Sequence, residues 1–315
     1  PIDVNKPVGL VPEVMLNDMY FNGNEDFFNV INGNGAFKGF DVLSIANNHM
    51  LDMGEKGLIN TLNFLENKKV SFVGSSKNLI DYPEFIIKEI NQIKIAFVAF
   101  TYSMNKELPI NDKLYLTHFE RLNNENPEIA NTVNACLNAR KAGADLVVLS
   151  LHTGNAYQVY PSVHTVNAYH KIFQNSGVDI ILGGHPHNAQ PMEKFEFVDP
   201  INQKSKQGFS IYSLADFVST DIFVWCRMPI TLSFQISKGV VAGEIFCGIK
   251  ELKVRAFYIC GNFDGANSTI VFKDLKKLKL NNFEGLNHKQ RIEAEELWRF
   301  YTEDFLPQNH EYLIS

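Results

Sequence analysis

The stretch SIANNHMLD, residues 44–52, starts as a strand and finishes in polar groups. Three residues that tolerate burial run into Asn47, Asn48 and His49, and Asp52 follows three residues later. Two readings fit these residues. Asn47 and Asn48 are turn formers, and Asp52 with Glu55 has capping-box spacing, with Asp in place of Ser or Thr. Alternatively, the polar groups line a site at the tip of the strand.

The flanking sequence supplies the context. FDVLSIA reads as a strand, and MGEKGLINTLNFLENKK as an amphipathic helix with Leu58, Ile59, Leu62 and Leu65 on one face. VSFVG is a short strand, and EFIIKEINQIKIAFVAF predicts two strands around an Asn-Gln turn. Residues 101–127 are polar and read as a long loop. EIANTVNACLNARKAG predicts a helix stopped at Gly143, ADLVVLSLH a strand, SVHTVNAYHKIFQNSG a second glycine-stopped helix, and VDIILGGHPH a third buried strand. Alternation of strand and helix from about 40 to 190 argues for parallel strands with helices outside. From about 192 to 275 the pattern turns mainly antiparallel, residues 284–305 read as helical with Trp298 as a packing anchor, and residues 1–38 are loop-like.

Composition narrows the function. At 315 residues and 45% hydrophobic, the chain can bury a sizeable core. A formal charge of −6 without a long basic run argues against general nucleic-acid binding. Cys136, Cys226, Cys247 and Cys260 form no C-x-x-C pair and read as free or buried thiols. No apolar run approaches the ~18 residues that span a bilayer. The chain begins at Pro1, so an upstream segment is expected, and a signal peptide or anchor fits there.

Three buried strands end alike, in LSIANNH, VLSLH and IILGGHPH. Ligands of open α/β sheets collect outside the carboxyl ends of the strands, so Asn48, His49, His152, His185 and His187 are expected to converge. Neutral imidazole is the commonest metal ligand, and amide and carboxylate oxygens suit harder divalent ions. Two such ions ~3.5–4 Å apart can clamp the attacking and leaving oxygens of a phosphoryl displacement. Gly183 and Gly184 are expected to let the backbone pass close to the ions, and Pro186 to hold His185 and His187 extended.

These residues carry a resemblance. GFDVLSIANNHMLDMGEKGLINTLNFLENKKVSFVGS, VVLSLHTGNAYQVYP, GVDIILGGHPHNAQPME and IYSLADFV, from about Gly39 to Val218, resemble the CapA family of poly-γ-glutamate capsule synthesis proteins. That family is similar to calcineurin-like metallophosphatases. The resemblance implies an α/β fold, a metallophosphatase-like sandwich of two mixed β-sheets flanked by helices. It implies two divalent ions (manganese, iron or zinc) held by Asn48, His152, His185 and His187. His49 is implied as a general acid and Asp52 as the carboxylate orienting it. Tyr157 and Asp216 are implied at the substrate, with Pro161 beside Tyr157 in the pocket wall.

The sequence departs from the family in places. The family's first strand ending in Gly-Asp and its Asn-Leu-Glu element are not found, so the first N-terminal strands and part of the metal site are expected to be missing. Thr153 stands at a usual Trp, Asp216 at a usual Asn, and His164 where Gln is common. The domain reading is a CapA-like domain over 1–275 with a helical extension over 276–315 packing on it. The implied function is a phosphoesterase-type hydrolase of capsule biosynthesis. The alternatives are a non-catalytic accessory protein binding polyglutamate, another acidic polymer or a capsule synthase partner, and an amide hydrolase on the same fold. The resemblance implies a place at the cell surface.

Overall fold

The computed structural model describes residue 2 and residues 20–33, 39–79, 84–105, 111–219, 221, 223–241, 244–262 and 269–305. The loop-like reading of residues 1–38 falls mostly outside these; within them Phe27–Ile31 form a short helix, α1.

A six-stranded mixed sheet organises the chain. It comprises β3 (Ile86–Ile90), β4 (Ile93–Thr101), β5 (Leu146–His152), β6 (Ile180–Gly184), β7 (Ala189–Val198) and β8 (Ser205–Leu214), in the order β3-β4-β5-β6-β8-β7. The four central strands run parallel, and antiparallel β3 and β7 flank them. The β3–β4 turn is the expected Asn-Gln pair. Asn91 and Gln92 take φ of 51° and 65°, the two left-handed residues that a tight hairpin needs.

Both faces of the sheet are buried, which is why its central strands are nearly continuous in apolar residues. On one face α3 (Ala130–Lys141) and α4 (Val163–Ser176) set Ala135, Cys136, Ala139, Tyr169, Ile172 and Phe173 against Val98, Val147, Leu149 and Ile181. The helix limits have local causes. Ser162 caps α4 by accepting from the Thr165 amide at 3.2 Å, and Gly177 ends it at φ 65°. Gly143 follows α3 at φ 91°. The start of α3 is capped from a distance: Glu120 accepts from the Asn131 and Thr132 amides at 2.6 and 2.9 Å.

Against the other face packs a second sheet of β9 (Ile230–Val241), β10 (Glu244–Asn262) and β11 (Thr269–Asp274). Ile230, Ala256 and Tyr258 share one core with Ile95, Leu146, Ile180 and Ile211, and the rings of Phe209 and Phe234 meet edge to face at 5.5 Å. The protein is thus an α/β sandwich with helices outside its large mixed sheet. The second sheet pairs antiparallel, as strands that follow one another without crossover helices do. Leu275, Leu278, Ala294 and Leu297, from α5 (Leu275–Leu280) and α6 (His288–Arg299), join the same core, with Trp298 partly buried at its rim. No helix among the described residues is long and apolar enough to cross a membrane.

The segment around residues 42–73 forms a parallel pair that does not join the large sheet. Among the described residues β1 (Val42–Ser44) and β2 (Ser71–Val73) pair only with each other, backed by α2 (Gly54–Asn67), which buries Leu58, Leu62 and Leu65. The polar stretch 101–127 supplies the link. The His118 amide donates to Gly74 and its carbonyl accepts from the Thr101 amide, both at 2.9 Å. Part of the expected loop is therefore a backbone bridge between the two-stranded unit and β4.

Candidate functional site

The site lies where β5 and β6 end and the loop after β1 turns. In register, Thr101, His152 and Gly184 are neighbours across β4, β5 and β6. That register brings the endings of β5 and β6 together, and a side-chain contact from Asn48 to His152 adds the ending of β1.

After β1, Asn47 turns the chain: its Oδ1 accepts from the His49 amide at 3.0 Å. Asn48 points inward, with its Oδ1 2.8 Å from His152 Nε2 and its Nδ2 donating to Asn105 Oδ1 at 2.8 Å. Of the two asparagines, one forms the turn and one faces the site. His49 places Nδ1 2.7 Å from Asp52 Oδ2, and the Phe21 amide donates to the same oxygen at 2.7 Å. Asp52 is fully buried. It does not cap α2, whose N-cap is Met53 without a side-chain bond. The capping reading of Asp52 is therefore corrected: its carboxylate is turned to His49. The Phe21 ring meets His49 edge-on at 4.5 Å between centroids.

The histidines form a cluster. The rings of His152 and His185 are 5.0 Å apart and those of His185 and His187 6.0 Å. Tyr102 brings its hydroxyl within 2.8 Å of His185 Nε2. His185 Nδ1 is buried and has no hydrogen-bond partner among the described residues. Burial, then the neighbouring His185, His187 and His49, holds the His152 pKa well below the usual imidazole range. Burial, with His187 and His49, depresses His185 to about 4. Both rings are neutral at neutral pH, the form in which imidazole binds a metal. His187 differs. Burial presses its pKa down, but hydrogen bonding to Asp216 and the charges of Asp216 and Asp221 raise it above the ordinary value.

His187 is the centre of an oxygen-rich group. Its Nδ1 lies 3.1 Å from both Asp216 oxygens, and donor atoms of His187, Asp216 and Asp221 all lie within 4.8 Å of one another, close enough to hold a cation. Tyr157 stacks on His187 at 5.1 Å, and its hydroxyl donates to Asp221 at 3.4 Å. Burial and the Asp221 charge push the Tyr157 hydroxyl up to about 12, so it stays a donor. Behind His152, Thr153 is buried and bonded through its hydroxyl to Asn123, whose Oδ1 also accepts from the Gly154 amide at 3.0 Å.

Two backbone expectations are corrected. His185 and His187 are not extended around Pro186; they take φ of 96° and 68°. Nor does Gly183 make room for an ion. A Cβ there would lie 2.0 Å from the Tyr212 carbonyl oxygen and 2.6 Å from the Tyr169 hydroxyl, so its smallness serves the packing of β6 against β8 and α4. At Gly184 the nearest atom would be His152 Nδ1 at 3.7 Å, an ordinary contact.

These side-chain contacts link Asn48, His49, Asp52 and His152 on one side with His187, Tyr157 and Asp216 on the other, and His185 between them. Sequence reading misses Tyr102, Asn105 and Asp221. Asp221 stands five residues after Asp216 in ADFVSTD, a second acid close behind the first, which is the signal that could have flagged it. Tyr102 and Asn105 lie in a polar loop without periodicity and offered none.

Known proteins share this arrangement of sequence. The chain is 30% identical over 187 residues to the "Capsule biosynthesis protein CapA" of Bacillus anthracis, covering 57% of this chain and 40% of that protein. It is 29% identical over 210 residues to the "PGA biosynthesis protein CapA" of Bacillus subtilis, covering 63% of this chain and 48% of that one. The chain thus spans less than half the length of either relative. Among solved structures, the calcineurin-like phosphoesterase YfkN from Bacillus subtilis aligns at a TM-score of 0.41 and 12% identity, over 82% of this chain and 72% of that one. Residues 13–221, well over half of the chain, match the family described as bacterial capsule synthesis protein PGA_cap, and the chain belongs to that family.

Proposed function

We propose that this chain carries a divalent-metal-dependent hydrolase site of the phosphoesterase type, acting in capsule or poly-γ-glutamate assembly. The observation that supports the reading is the convergence of Asn48, His152, His185 and His187 from three strand ends. The donor set fits divalent ions of the manganese, iron or zinc kind. It mixes an amide oxygen with imidazoles, two of them neutral, and one buried ring nitrogen, His185 Nδ1, has no protein partner among the described residues. Asn48, His152, His185 and His187 would hold two ions, with His187 oriented by the carboxylate of Asp216. Bound there, such ions polarise a phosphoryl oxygen and acidify water.

The remaining roles belong to the side chains. With Nδ1 of His49 held by the buried Asp52, Nε2 is the nitrogen left to pass a proton to the leaving oxygen. Tyr157 and Asp216, beside His187, meet the substrate. The cellular role follows the names of the two Bacillus relatives, both of which concern capsule or PGA biosynthesis. Polyglutamate and capsule synthase components are the proposed partners.

The test is metal content together with phosphate release from generic esters in added manganese. The expected result is bound metal and manganese-dependent turnover, both lost in His185→Ala. Full metal content and turnover in that variant overturn the assignment. A chain that binds polyglutamate without hydrolysing anything supports the accessory reading instead, and release of glutamate from the polymer supports an amide hydrolase.

A further inference from the structure

The hydrogen bonds around Asn48 have a direction, and it can be traced from one end. Asp52 Oδ2 accepts from the Phe21 amide and faces His49 Nδ1, each at 2.7 Å. A carboxylate only accepts, so the ring nitrogen that faces it, His49 Nδ1, is the donor of that pair. The side-chain nitrogen of Asn105 lies 3.3 Å from Nδ1 and 3.4 Å from Nε2 of that ring. A donor on the in-plane lone pair of Nε2 would lie far from Nδ1, so at these near-equal distances the Asn105 nitrogen sits over the ring face, where an N–H is favoured and a carbonyl oxygen is not. Asn105 therefore turns its N–H to His49 and its Oδ1 to Asn48, from whose Nδ2 it accepts at 2.8 Å. With its nitrogen so engaged, Asn48 presents Oδ1 to His152 Nε2 at 2.8 Å.

This order has a chemical consequence. The two ends of a carboxamide have nearly the same shape, so packing alone does not decide which one faces a pocket. Only the oxygen end binds a divalent cation. Something must therefore set the amide, and Asn105, lying between the His49 ring and Asn48, is placed to do so. We propose that Asn105 is a positioning residue that accepts from the Asn48 side-chain nitrogen and so turns the Asn48 ligand oxygen toward His152. The backbone supports the role: the Asn105 amide donates to the Asn48 carbonyl at 2.8 Å, which fixes the two residues side by side. Tyr102, on the same stretch, contacts His185, so one short segment touches both the amide and the imidazole part of the site.

The inference rests on reading Asn48 as a metal ligand, and its test separates the two claims. Asn105→Asp keeps an oxygen for the Asn48 amide nitrogen and loses the N–H toward His49; Asn105→Ala loses both. Manganese affinity is measured by calorimetry on the full chain and each variant. The imidazole nitrogens of the metal-free proteins are followed by NMR. Loss of a partner behind a metal ligand typically weakens binding about ten- to a hundredfold, and that loss is expected for Asn105→Ala, with Asn105→Asp recovering most of it. In the metal-free protein His152 is expected as the single Nε2–H tautomer, donating to Asn48 Oδ1. Asn105→Ala should mix the tautomers, and Asn105→Asp should restore the single form.

Wild-type manganese affinity in Asn105→Ala, with one His152 tautomer, overturns the inference and leaves the metal site standing. A shared fall in Tm with unchanged affinity in both variants overturns it too, since that is what a merely structural residue would give. If the wild-type chain takes up no manganese, the metal reading fails. The tautomer then decides alone: mixing in Asn105→Ala upholds the positioning role, and a single form ends it.

Discussion

His152 Nε2 and Asn48 Oδ1 lie 2.8 Å apart although 104 positions separate them in the chain. One comes from the end of β5 in the large sheet, the other from the loop after β1 in a separate two-stranded sheet. Their meeting is the point at which two separately hydrogen-bonded units become one site.

Asn48→Ala should open that contact and strand a buried imidazole nitrogen. Leaving a buried polar group unpaired costs roughly 1–3 kcal/mol. The expected outcome is a lower Tm and a lower metal-to-protein ratio by elemental analysis. A variant that matches the wild type in both would remove Asn48 from the site.

Asp52→Ala should be more damaging to stability than its distance from the large sheet suggests. The carboxylate is fully buried and serves both the Phe21 amide and His49. Losing two charge-assisted hydrogen bonds should cost at least ~2 kcal/mol in urea unfolding. Turnover, where present, should fall by about 10²-fold or more because His49 loses its orientation.

His118 predicts an acid-sensitive stability. Burial lowers its pKa from 6.5 to about 4, partly offset by its hydrogen bond to the Ala99 carbonyl. Its folded pKa is below its unfolded value, so the unfolded chain binds the extra proton between about pH 6.5 and 4. The stability it contributes is complete above that window and declines as pH falls through it, by on the order of 3 kcal/mol in all. Urea unfolding at pH 7 and pH 5 should show a smaller difference for His118→Asn than for the wild type.

Gly183→Ala and Gly184→Ala should behave oppositely despite being adjacent. A Cβ at 183 would collide with backbone of β8, 2.0 Å from the Tyr212 oxygen, whereas one at 184 meets nothing closer than 3.7 Å. Gly183→Ala is expected to lose ~3 kcal/mol or more, or to fail to accumulate. Gly184→Ala should fold with a Tm near that of the wild type. Similar thermal scans for both would show that β6 and β8 are not packed as closely as this.

Much of this was legible because burial leaves a strong mark on sequence. ADLVVLSLH could only be a strand covered on both faces, and a histidine at its end is conspicuous for that reason. The Asn91–Gln92 hairpin and the glycine stops at Gly143 and Gly177 were readable through turn chemistry. The left-handed backbone of His185 and His187 was not, since proline after His185 disfavours the helical region but does not forbid positive φ. Asn105 and Asp221 were hidden for another reason. Their significance lies in partners 56 and 34 positions away, Asn105 against His49 and Asp221 against His187, and no local pattern encodes such pairs. The failure of Asp52 as a helix cap has the same origin, because a distant amide, that of Phe21, shares the oxygen that faces His49.

The bridge through His118 acts as a gauge. Because Gly74 and Thr101 are both hydrogen-bonded to that one residue, the spacing between the two-stranded unit and β4 is set in part by a rung of backbone inserted between them like a shim. Lengthening or shortening the chain around it should shift the loop that carries Asn48 relative to the strand end that carries His152, without touching either residue.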